Sequence, residues 1–378
     1  MNFAFTDEQR EIQETAKRLM EELAPLDRVV ELSETDIGWA ADDWKHLAEL
    51  GWTGLHIPEQ YGGVGLSYVE LVVVLEQMGA ALYPSPFFST VCLAANALLE
   101  AGPDSQKELL AAIAEGETTA TLALNEPGGE WDAVDIQLAA TPNPAGDGWT
   151  LNGTKQYVTD GHVAEKIIVA ARTGGEGADG TSLLVVDGDA PGLTRTATHG
   201  IDDTRKHATL EFAGVAVGAD ALVGTEGAAW PALEATTQLA SVALAAESLG
   251  AAQHCFDLAL QYSKDRIQFG RTIASFQAIK HMLADLLMAV EQTRSAVYYA
   301  GWAAAGNREE LPAVGPLAKA QAADTFTRAA RDNIQIHGGI GFTYEHEAHR
   351  YYRRAQASGV LLGDSDHHRE LMLRGLGV

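Results

Sequence analysis

Residues 149–159, WTLNGTKQYVT, indicate the fold class because they carry a strand-forming pattern, whereas the sequence before residue 118 and after about residue 225 is patterned for helices. Similar short runs rich in β-branched residues surround this stretch, and turn-forming dipeptides separate them. The runs are TATLAL (119–124), KIIVAAR (166–172), SLLVVD (182–187) and ATLEFAGVAV (208–217), with hairpin signals at Asn152-Gly153, Asp179-Gly180 and Asp187-Gly188. Residues 118–226 are therefore predicted to form a central antiparallel, β-barrel-like domain.

The residues before this domain have the periodicity of helices, with apolar residues three and four positions apart. The first of these are Ile12, Ala16, Leu19 and Leu23. Thr6 is a predicted N-cap, and Gln9 completes an S/T-x-x-E/Q capping box. A loop at 56–67, HIPEQYGGVGLS, interrupts the helices because it contains proline and several glycines. Residues 1–117 are thus a predicted N-terminal helical domain.

The residues after about 225 return to helical periodicity in three long stretches, at 229–264, 275–305 and 312–335. Alanine occurs on most faces of these stretches, which allows helices to pack as a bundle. We therefore expect residues 227–378 to form a C-terminal four-helix bundle. The predicted class is α+β, with an N-terminal helical domain, a central β domain and a C-terminal helical bundle.

The composition excludes several classes of partner. The chain has 378 residues, 46% of them hydrophobic, so a large buried core is expected and disorder is excluded. Its formal net charge of −26 repels nucleic acid and anionic membranes, which are predicted not to be partners. The first residues lack a secretory signal pattern, no apolar run reaches bilayer length, and the two cysteines form no disulfide framework. We expect a cytoplasmic protein.

Two segments could hold an anion within this acidic chain. RIQFGR (266–271) places two guanidinium groups and an aromatic ring at a predicted helix end, and arginine binds phosphate through paired hydrogen bonds. QIHGGIG (335–341) follows a helix, and its glycines allow backbone N–H groups to approach a phosphate or a flat ring. Each segment has a structural alternative, because arginines also stabilise helix C-termini and glycines also end helices.

Five motifs resemble those of the acyl-CoA dehydrogenase family in their order and spacing, over essentially the whole chain. The motifs are IPEQYGG (57–63), NEPGG (125–129), LNGTKQYVTDG (151–161), RIQFGRTIASFQAIKH (266–281) and QIHGGIGFTYE (335–345). The resemblance implies a three-domain fold, noncovalent FAD and oxidation of an acyl-CoA thioester to the trans-2-enoyl-CoA. It also implies that electron-transfer flavoprotein accepts the electrons. An acyl-CoA oxidase, which passes electrons to oxygen, is an alternative.

The resemblance also implies which residues contact the cofactor. Thr159 matches the residue that contacts the flavin near N5, and Tyr157 matches an aromatic residue that packs on the isoalloxazine. Leu124 and Asn125 match the strand that lies along the flavin. The other implied cofactor contacts are Arg266, Gln268, Phe269, Gln335, His337, Gly338, Gly339, Asp364 and Asp366. Because residues 266–269 match a segment that reaches the FAD of a neighbouring subunit, a homodimer, a homotetramer or a heterotetramer with a related chain is expected.

The chain departs from the family pattern at the substrate and at the base. Glu130 and Trp131 stand where the family usually has a small Gly-Ser pair, so they are candidate substrate contacts in a reshaped entrance. Leu362 replaces the catalytic Glu of many members, and Ala240 replaces the Glu that another subgroup uses. These replacements support an alternative in which the chain is a largely noncatalytic partner subunit.

Glu247 is the remaining candidate for the catalytic base. In LASVALAAESLGAA (239–252) its helical neighbours are alanine, leucine and glycine, so its carboxylate is predicted to be desolvated. The arrangement resembles actinobacterial acyl-CoA dehydrogenases that act on steroid side-chain or branched thioesters, in which two different chains commonly assemble. The alternative is a structural Glu bonded to a facing Arg or a helix end.

A metal site is not predicted in the histidine-rich C-terminal segment. The segment lacks an H-E-x-x-H motif and paired cysteines, and arginines crowd it. The residues considered for such a site are His346, His349, Asp364, Asp366, His367 and His368.

Overall fold

The computed structural model of the protein describes residues 5–128, 131–143 and 146–378. Its helices are α1 (Asp7–Leu23), α2 (Leu26–Glu34), α3 (Ala41–Glu49), α4 (Tyr68–Ala80), α5 (Asn96–Ala101), α6 (Lys107–Ala114), α7 (Trp230–Asp265), α8 (Gln277–Gly306), α9 (Leu311–His337), α10 (Ala348–Val360) and α11 (Ser365–Gly375). Its strands are β1 (Ala120–Ala123), β2 (Ala139–Pro142), β3 (Gly148–Thr159), β4 (Lys166–Arg172), β5 (Thr181–Asp187), β6 (Leu193–Thr198), β7 (His207–Gly218), β8 (Leu222–Val223), β9 (Ile267–Gln268) and β10 (Arg271–Thr272). The predicted order of helices, strands and helices is confirmed.

The chain divides into two compact units. The helical unit contains Tyr68–Pro84, Ser241–Val378 and the described residues up to Glu31. The sheet unit contains Leu32–Ser67 and Ser85–Ala240. The predicted boundaries of three domains, after residues 117 and 226, stay predictions.

The helices form where the sequence predicts them. Thr6 caps α1, since Thr6 Oγ1 accepts a hydrogen bond from Gln9 N at 3.2 Å and Gln9 Oε1 accepts one from Thr6 N at 3.0 Å. The three long stretches predicted after residue 225 correspond to α7, α8 and α9 within a few residues. Among the residues that the structure describes, no helix is long and apolar enough to cross a membrane.

Two glycines allow α4 and α7 to pack with their backbones in contact. A Cβ on Gly79 would lie 2.0 Å from Glu247 O, and a Cβ on Gly250 would lie 1.7 Å from Glu76 O. No side chain fits at either position without a backbone shift. In the same unit, α9 packs against α8, α10 and α11.

The sheet runs in the order β6-β7-β3-β2-β4-β5-β8, and β1 pairs with β4. The prediction of an antiparallel domain is wrong at two pairings, because β1 and β2 both run parallel to β4. The prediction of a barrel-like form is also wrong, since within the described residues β6 and β8 are unjoined ends of an open sheet. The residue pattern identifies strands, but contacts distant in sequence select their partners and directions.

The predicted hairpin turn at Asn152-Gly153 is also wrong, because both residues lie inside β3. Gly153 is needed there for a different reason, since its Cβ would lie 2.9 Å from the Leu138 side chain and its φ is +144°. Asn152 Oδ1 accepts a 2.9 Å hydrogen bond from Gly214 N in the opposite strand, where the pairing of β3 and β7 shifts by one residue. The dipeptide therefore marks a bulge and not a turn.

Candidate functional site

The end of β3 holds Thr159 in a constrained backbone. Thr121 Oγ1 donates a 2.6 Å hydrogen bond to Thr159 O, and Thr159 is buried. Tyr157 and Asp160 on either side have φ values of +54°, in the left-handed region that residues with a Cβ rarely occupy. Thr159 Oγ1 lies 3.4 Å from His207 Nδ1. The segment around this predicted flavin contact is thus fixed by partners on other strands.

Tyr157 projects from β3 with 62% of its surface exposed. The pairing of β3 with β7 shifts between Lys155 and Val158, and such a bulge redirects a side chain. His207 Nδ1 lies 3.2 Å from Tyr157 O. An exposed aromatic ring on a fixed strand is a suitable surface for a second flat ring.

Lys155 fixes the segment that contains Leu124 and Asn125. Lys155 Nζ is fully buried and donates hydrogen bonds to Leu124 O at 3.0 Å and to Glu126 Oε1 at 2.6 Å. Gln156 N donates a 2.8 Å hydrogen bond to Asn125 O. Burial lowers the pKa of Lys155 to about 8, although the Glu126 carboxylate opposes the shift. Lys155 could not be predicted from the sequence, because a lysine inside a strand gives no signal of burial.

Asp160 is held by Ser89, a residue that no sequence motif indicates. Ser89 Oγ donates a 2.6 Å hydrogen bond to Asp160 Oδ2, and Asp160 N donates a 2.9 Å hydrogen bond to Lys206 O. Both Ser89 and Asp160 are buried, 71 positions apart in the sequence. Beside them the Arg205 guanidinium lies 4.5 Å from the centre of the Phe88 ring.

Of the two candidate substrate contacts, only Trp131 lies within the described residues. Glu130 lies outside the described residues. Trp131 is partly buried and directly precedes Asp132, the N-cap of a single helical turn at Ala133–Asp135, and Asp132 N donates a 3.2 Å hydrogen bond to Asp135 Oδ2. Their role in binding substrate stays a prediction.

Glu247 lies in α7 with 8% of its surface exposed. Its neighbours Ala243, Leu244 and Ala251 are buried, so the predicted burial among small residues is confirmed. The backbone of Glu247 also contacts α4 at Gly79. The role of Glu247 as a base stays a prediction.

The segment RIQFGR forms a hairpin of β9 and β10 just beyond α7. Phe269 and Gly270 have φ values of +54° and +78°, the combination that a tight two-residue hairpin requires. Phe269 is 91% exposed, and Arg266 and Gln268 are exposed as well. The Arg271 guanidinium lies 4.1 Å from the centre of the Phe276 ring.

The residues at the end of α9 separate into an exposed and a buried set. Gln335, Gly338 and Gly339 are exposed. His337 is buried, with its ring stacked 4.2 Å from Tyr262 and its Nδ1 at 2.9 Å from Asn333 O. Burial lowers the pKa of His337. The His337 ring therefore contacts other residues of the protein, Tyr262 and Asn333.

Asp364 and Asp366 have structural partners at the start of α11. Asp364 Oδ1 accepts hydrogen bonds from His367 N at 2.9 Å and from Asp366 N at 3.1 Å, so Asp364 is the N-cap. These backbone hydrogen bonds, that from His367 above all, lower the pKa of the Asp364 carboxyl. Asp366 forms a 2.7 Å ion pair with Arg369. Contact of either carboxylate with a flavin stays a prediction.

The exposed residues of the helical unit fit a cofactor that combines phosphates with flat rings. A Cβ on Gly339 would meet no atom within 4 Å, so the packing of the described residues does not explain that glycine. The same space is open at Gly338, although its φ of +64° also serves to end α9. Phe269 offers an exposed ring, and Arg266 and Arg271 offer donors to phosphate. Backbone N–H and guanidinium groups can donate hydrogen bonds to the phosphates of FAD, and an exposed aromatic ring can pack against its flat rings.

Comparison with known proteins identifies the family. Domain descriptions of acyl-CoA dehydrogenases match this chain at residues 6–117 for the N-terminal domain, 121–215 for the middle domain and 228–377 for the C-terminal domain. The chain is 33% identical to the probable acyl-CoA dehydrogenase YngJ of Bacillus subtilis, over 100% of both proteins. The protein therefore belongs to the acyl-CoA dehydrogenase family, whose members are FAD-dependent oxidoreductases.

Solved structures agree with this assignment. Butyryl-CoA dehydrogenase from Megasphaera elsdenii is 29% identical, with a TM-score of 0.91 over 100% of both chains. A variant of the Tcur3481-Tcur3483 steroid ACAD is 30% identical, with a TM-score of 0.86 over 98% of both chains. The chain therefore resembles structures named for a short-chain thioester and for steroids.

The described residues enclose a cavity but form no cluster suited to a metal ion. No group of three or more His, Cys, Asp or Glu side chains there is placed to hold a metal ion. The helical unit contains a cavity of about 520 Å³ between α1, α4, α7 and α10, lined partly by Glu76, Gln253 and Glu347. None of the site residues predicted from the sequence lines this cavity.

Proposed function

We propose that this protein oxidises an acyl-CoA thioester to the trans-2-enoyl-CoA, with Glu247 as the base that removes the α-proton. The observation that carries the proposal is a buried carboxylate in α7 in a chain that has Leu362 and Ala240 at the family's usual base positions. A base in a site closed to water can take a proton that the thioester carbonyl has made acidic. FAD, when bound, supplies the acceptor for the hydride that leaves the β-carbon.

The residues proposed to hold FAD come from both units of the chain. In the sheet unit, Thr159 and the exposed ring of Tyr157 would face the flavin, with Leu124 and Asn125 along it. In the helical unit the phosphates and adenine would be held by exposed residues, which we take to act on the cofactor of a neighbouring subunit. They are Arg266, Gln268, Phe269, Gln335, Gly338 and Gly339. This arrangement requires an oligomer.

The proposed substrate is a branched or ring-bearing acyl-CoA. The small side chains around Glu247 are compatible with a wide acyl group, and the resemblance to a steroid ACAD supports the same class. Electron-transfer flavoprotein is the proposed acceptor and the cytoplasm the proposed location. Turnover of straight-chain thioesters at much higher rates than branched or steroid-derived ones would contradict the substrate assignment.

The test is anaerobic reduction of the purified protein by a panel of acyl-CoAs, followed through the visible absorbance of the flavin. The wild-type protein is expected to be yellow and to bleach with at least one branched or ring-bearing thioester. Glu247→Gln should keep its flavin and lose at least a thousandfold in the rate of bleaching, because the α-proton has no acceptor.

The matched control is Glu234→Gln, an exposed carboxylate on the same helix, which should leave the rate unchanged. If Glu247→Gln bleaches at the wild-type rate, the base is another residue, and Asp364 or a residue of a partner chain would be tested next.

A second function is favoured by the same two replacements. Leu362 and Ala240 are expected of a subunit that completes the flavin site of a related chain without performing the chemistry itself. In that case the purified chain would be colourless, or yellow and never bleached, and mixing with the related chain would restore reduction.

A further inference from the structure

The four-residue connection between α10 and α11 has an unusual backbone. It comprises residues 361–364, and Leu362 within it has a φ of +62°. Leucine in the left-handed region is strained, and it persists only where the surroundings impose it. The Leu362 side chain is nonetheless buried, with 8% of its surface exposed. The connection is therefore held in a conformation that its own sequence does not favour.

A single lysine holds the carbonyl groups on both sides of Leu362. Lys319 Nζ, from α9, donates hydrogen bonds to Ser358 O at 3.0 Å, to Gly359 O at 3.4 Å and to Gly363 O at 3.3 Å. The first two carbonyls belong to the last turn of α10, where no backbone N–H group is available to them within the helix. The third lies directly after the strained leucine. One ammonium group thus joins the helix end to the connection.

A histidine supplies the remaining contact. His368 Nε2 lies 2.9 Å from Leu362 O, and His368 is buried. Burial lowers the pKa of His368 to about 3, so the ring is neutral near pH 7 and its Nε2–H donates to that carbonyl. Lys319 and His368 come from different helices and together bind the carbonyls on and around Leu362.

The charge of Lys319 is stabilised mainly by backbone carbonyl groups. Lys319 is 1% exposed, and its hydrogen bonds go to backbone carbonyls at the negative end of α10. Asp364 and Asp324 also favour its charged form. A buried lysine is expensive to desolvate, so its charged form at this position depends on these acceptors.

We propose that Lys319 is a positioning residue, whose ammonium group holds the 361–364 connection in its strained conformation and so places Leu362 and Asp364. This inference rests on the proposed function, because only that function makes Leu362 and Asp364 part of the acyl-CoA and flavin site. Lys319 itself contacts neither substrate nor cofactor in this proposal.

The first test is hydrogen exchange measured on the holoenzyme by mass spectrometry. Lys319→Met should raise the exchange rate at Leu361 and Gly363, whose N–H groups bond to Ala357 O and Val360 O, by tenfold or more. Exchange within the rest of α9 should stay within about twofold of wild type. Lys319→Arg should restore much of the protection, since it keeps the charge and the donors.

The matched control is Ser365→Ala, which removes a 2.7 Å hydrogen bond to Asp324 Oδ1 at the start of α11 but no donor to the connection. It should leave exchange at residues 361 and 363 unchanged. Wild-type exchange in Lys319→Met would overturn the proposal, as would an equal rise over the whole of α9, α10 and α11, which indicates a general structural role.

The second test is kinetic and separates positioning from substrate affinity. Lys319→Met should lower kcat for the best acyl-CoA about tenfold while KM changes less than threefold, and Lys319→Arg should recover most of kcat. A change in KM alone would overturn the proposal. If Lys319→Met does not fold, Lys319→Gln, which keeps two N–H donors without the charge, is measured in its place and should show an intermediate effect.

The two tests distinguish this inference from the proposed function. If no acyl-CoA reduces the wild-type flavin, the proposed function fails, while exchange at residues 361 and 363 still decides whether Lys319 holds the connection. If acyl-CoA reduces the wild-type flavin and Lys319→Met behaves as wild type in both tests, only the inference about Lys319 fails.

Discussion

The two units of the protein each bury one lysine beside a predicted site segment, and they stabilise its charge in different ways. In the sheet unit, Lys155 bonds to the Glu126 carboxylate at 2.6 Å. In the helical unit, Lys319 donates hydrogen bonds to three backbone carbonyls at 3.0–3.4 Å. Burial lowers the pKa of both to about 8. Both lysines are therefore desolvated. A carboxylate compensates the charge of Lys155, whereas mainly peptide dipoles compensate the charge of Lys319.

The difference follows from what each secondary structure leaves unpaired. The hydrogen bonds of a sheet use most carbonyls of its strands, so Lys155 has one carbonyl partner, Leu124 O just after β1, and a charged partner, the Glu126 carboxylate. The end of a helix leaves carbonyls unpaired, and α10 offers Ser358 O and Gly359 O to Lys319. A helix end can thus accept a buried cation without an acidic side chain.

The largest effect is expected from removing the lysine that has a charged partner. Lys155→Met leaves the Glu126 carboxylate, whose side chain is only 9% exposed, without its cation, which should lower the free energy of unfolding by about 3–5 kcal/mol. Lys319→Met leaves carbonyls without their donor but isolates no fully buried charge, so about 1–3 kcal/mol is expected. Urea unfolding of both variants under the same conditions measures the difference.

The control for this comparison is the double variant Lys155→Met with Glu126→Gln, which removes both charges. It should recover more than half of the stability that Lys155→Met loses. Equal losses in Lys155→Met and Lys319→Met, with no recovery in the double variant, would show that the counter-charge at Glu126 is unimportant.

The next effect is a dependence of stability on pH that both lysines share. Each has a pKa of about 8 in the folded protein, against about 10.4 for an unperturbed lysine in the unfolded chain. Between these values the unfolded chain binds more protons, so the free energy of unfolding rises with pH, by up to about 1.4 kcal/mol per pH unit for each lysine.

This dependence is measured as the stability of wild type relative to each Lys→Met variant at pH 7.5, 8.5 and 9.5. The stability of wild type relative to Lys155→Met and to Lys319→Met should increase as the pH rises. A relative stability that is constant or decreases over this range would show that the lysine does not release a proton on folding.

The smallest effect is expected for an exposed cation close to Lys319. Arg369 pairs with Asp366 at 2.7 Å and with Asp324, and its side chain is half exposed. Because exposed ion pairs contribute little, Arg369→Gln should change the free energy of unfolding by less than about 1 kcal/mol, and less still at high salt. A loss as large as that of Lys319→Met would mean that burial does not explain the importance of Lys319.

Much of the candidate site could be predicted from local sequence patterns. The exposed glycines after α9 and the arginines of the 266–271 segment are visible as motifs, and the small neighbours of Glu247 predict its burial. Partners distant in sequence could not be predicted. Ser89 and Asp160 are 71 positions apart, and Lys319 is 44 positions from Gly363. A local pattern carries no information about such a partner, so Lys155, Lys319 and Ser89 were missed.

Local sequence patterns were enough to predict where the helices and most of the strands lie and which family motifs they carry, because periodicity, capping and turn residues act over a few positions. Tertiary structure alone decided the directions of β1 and β2, the bulge at Asn152, and the burial of two lysines beside site segments. The physical reason is that desolvation and hydrogen bonding of a buried group depend on atoms brought together from distant parts of the chain.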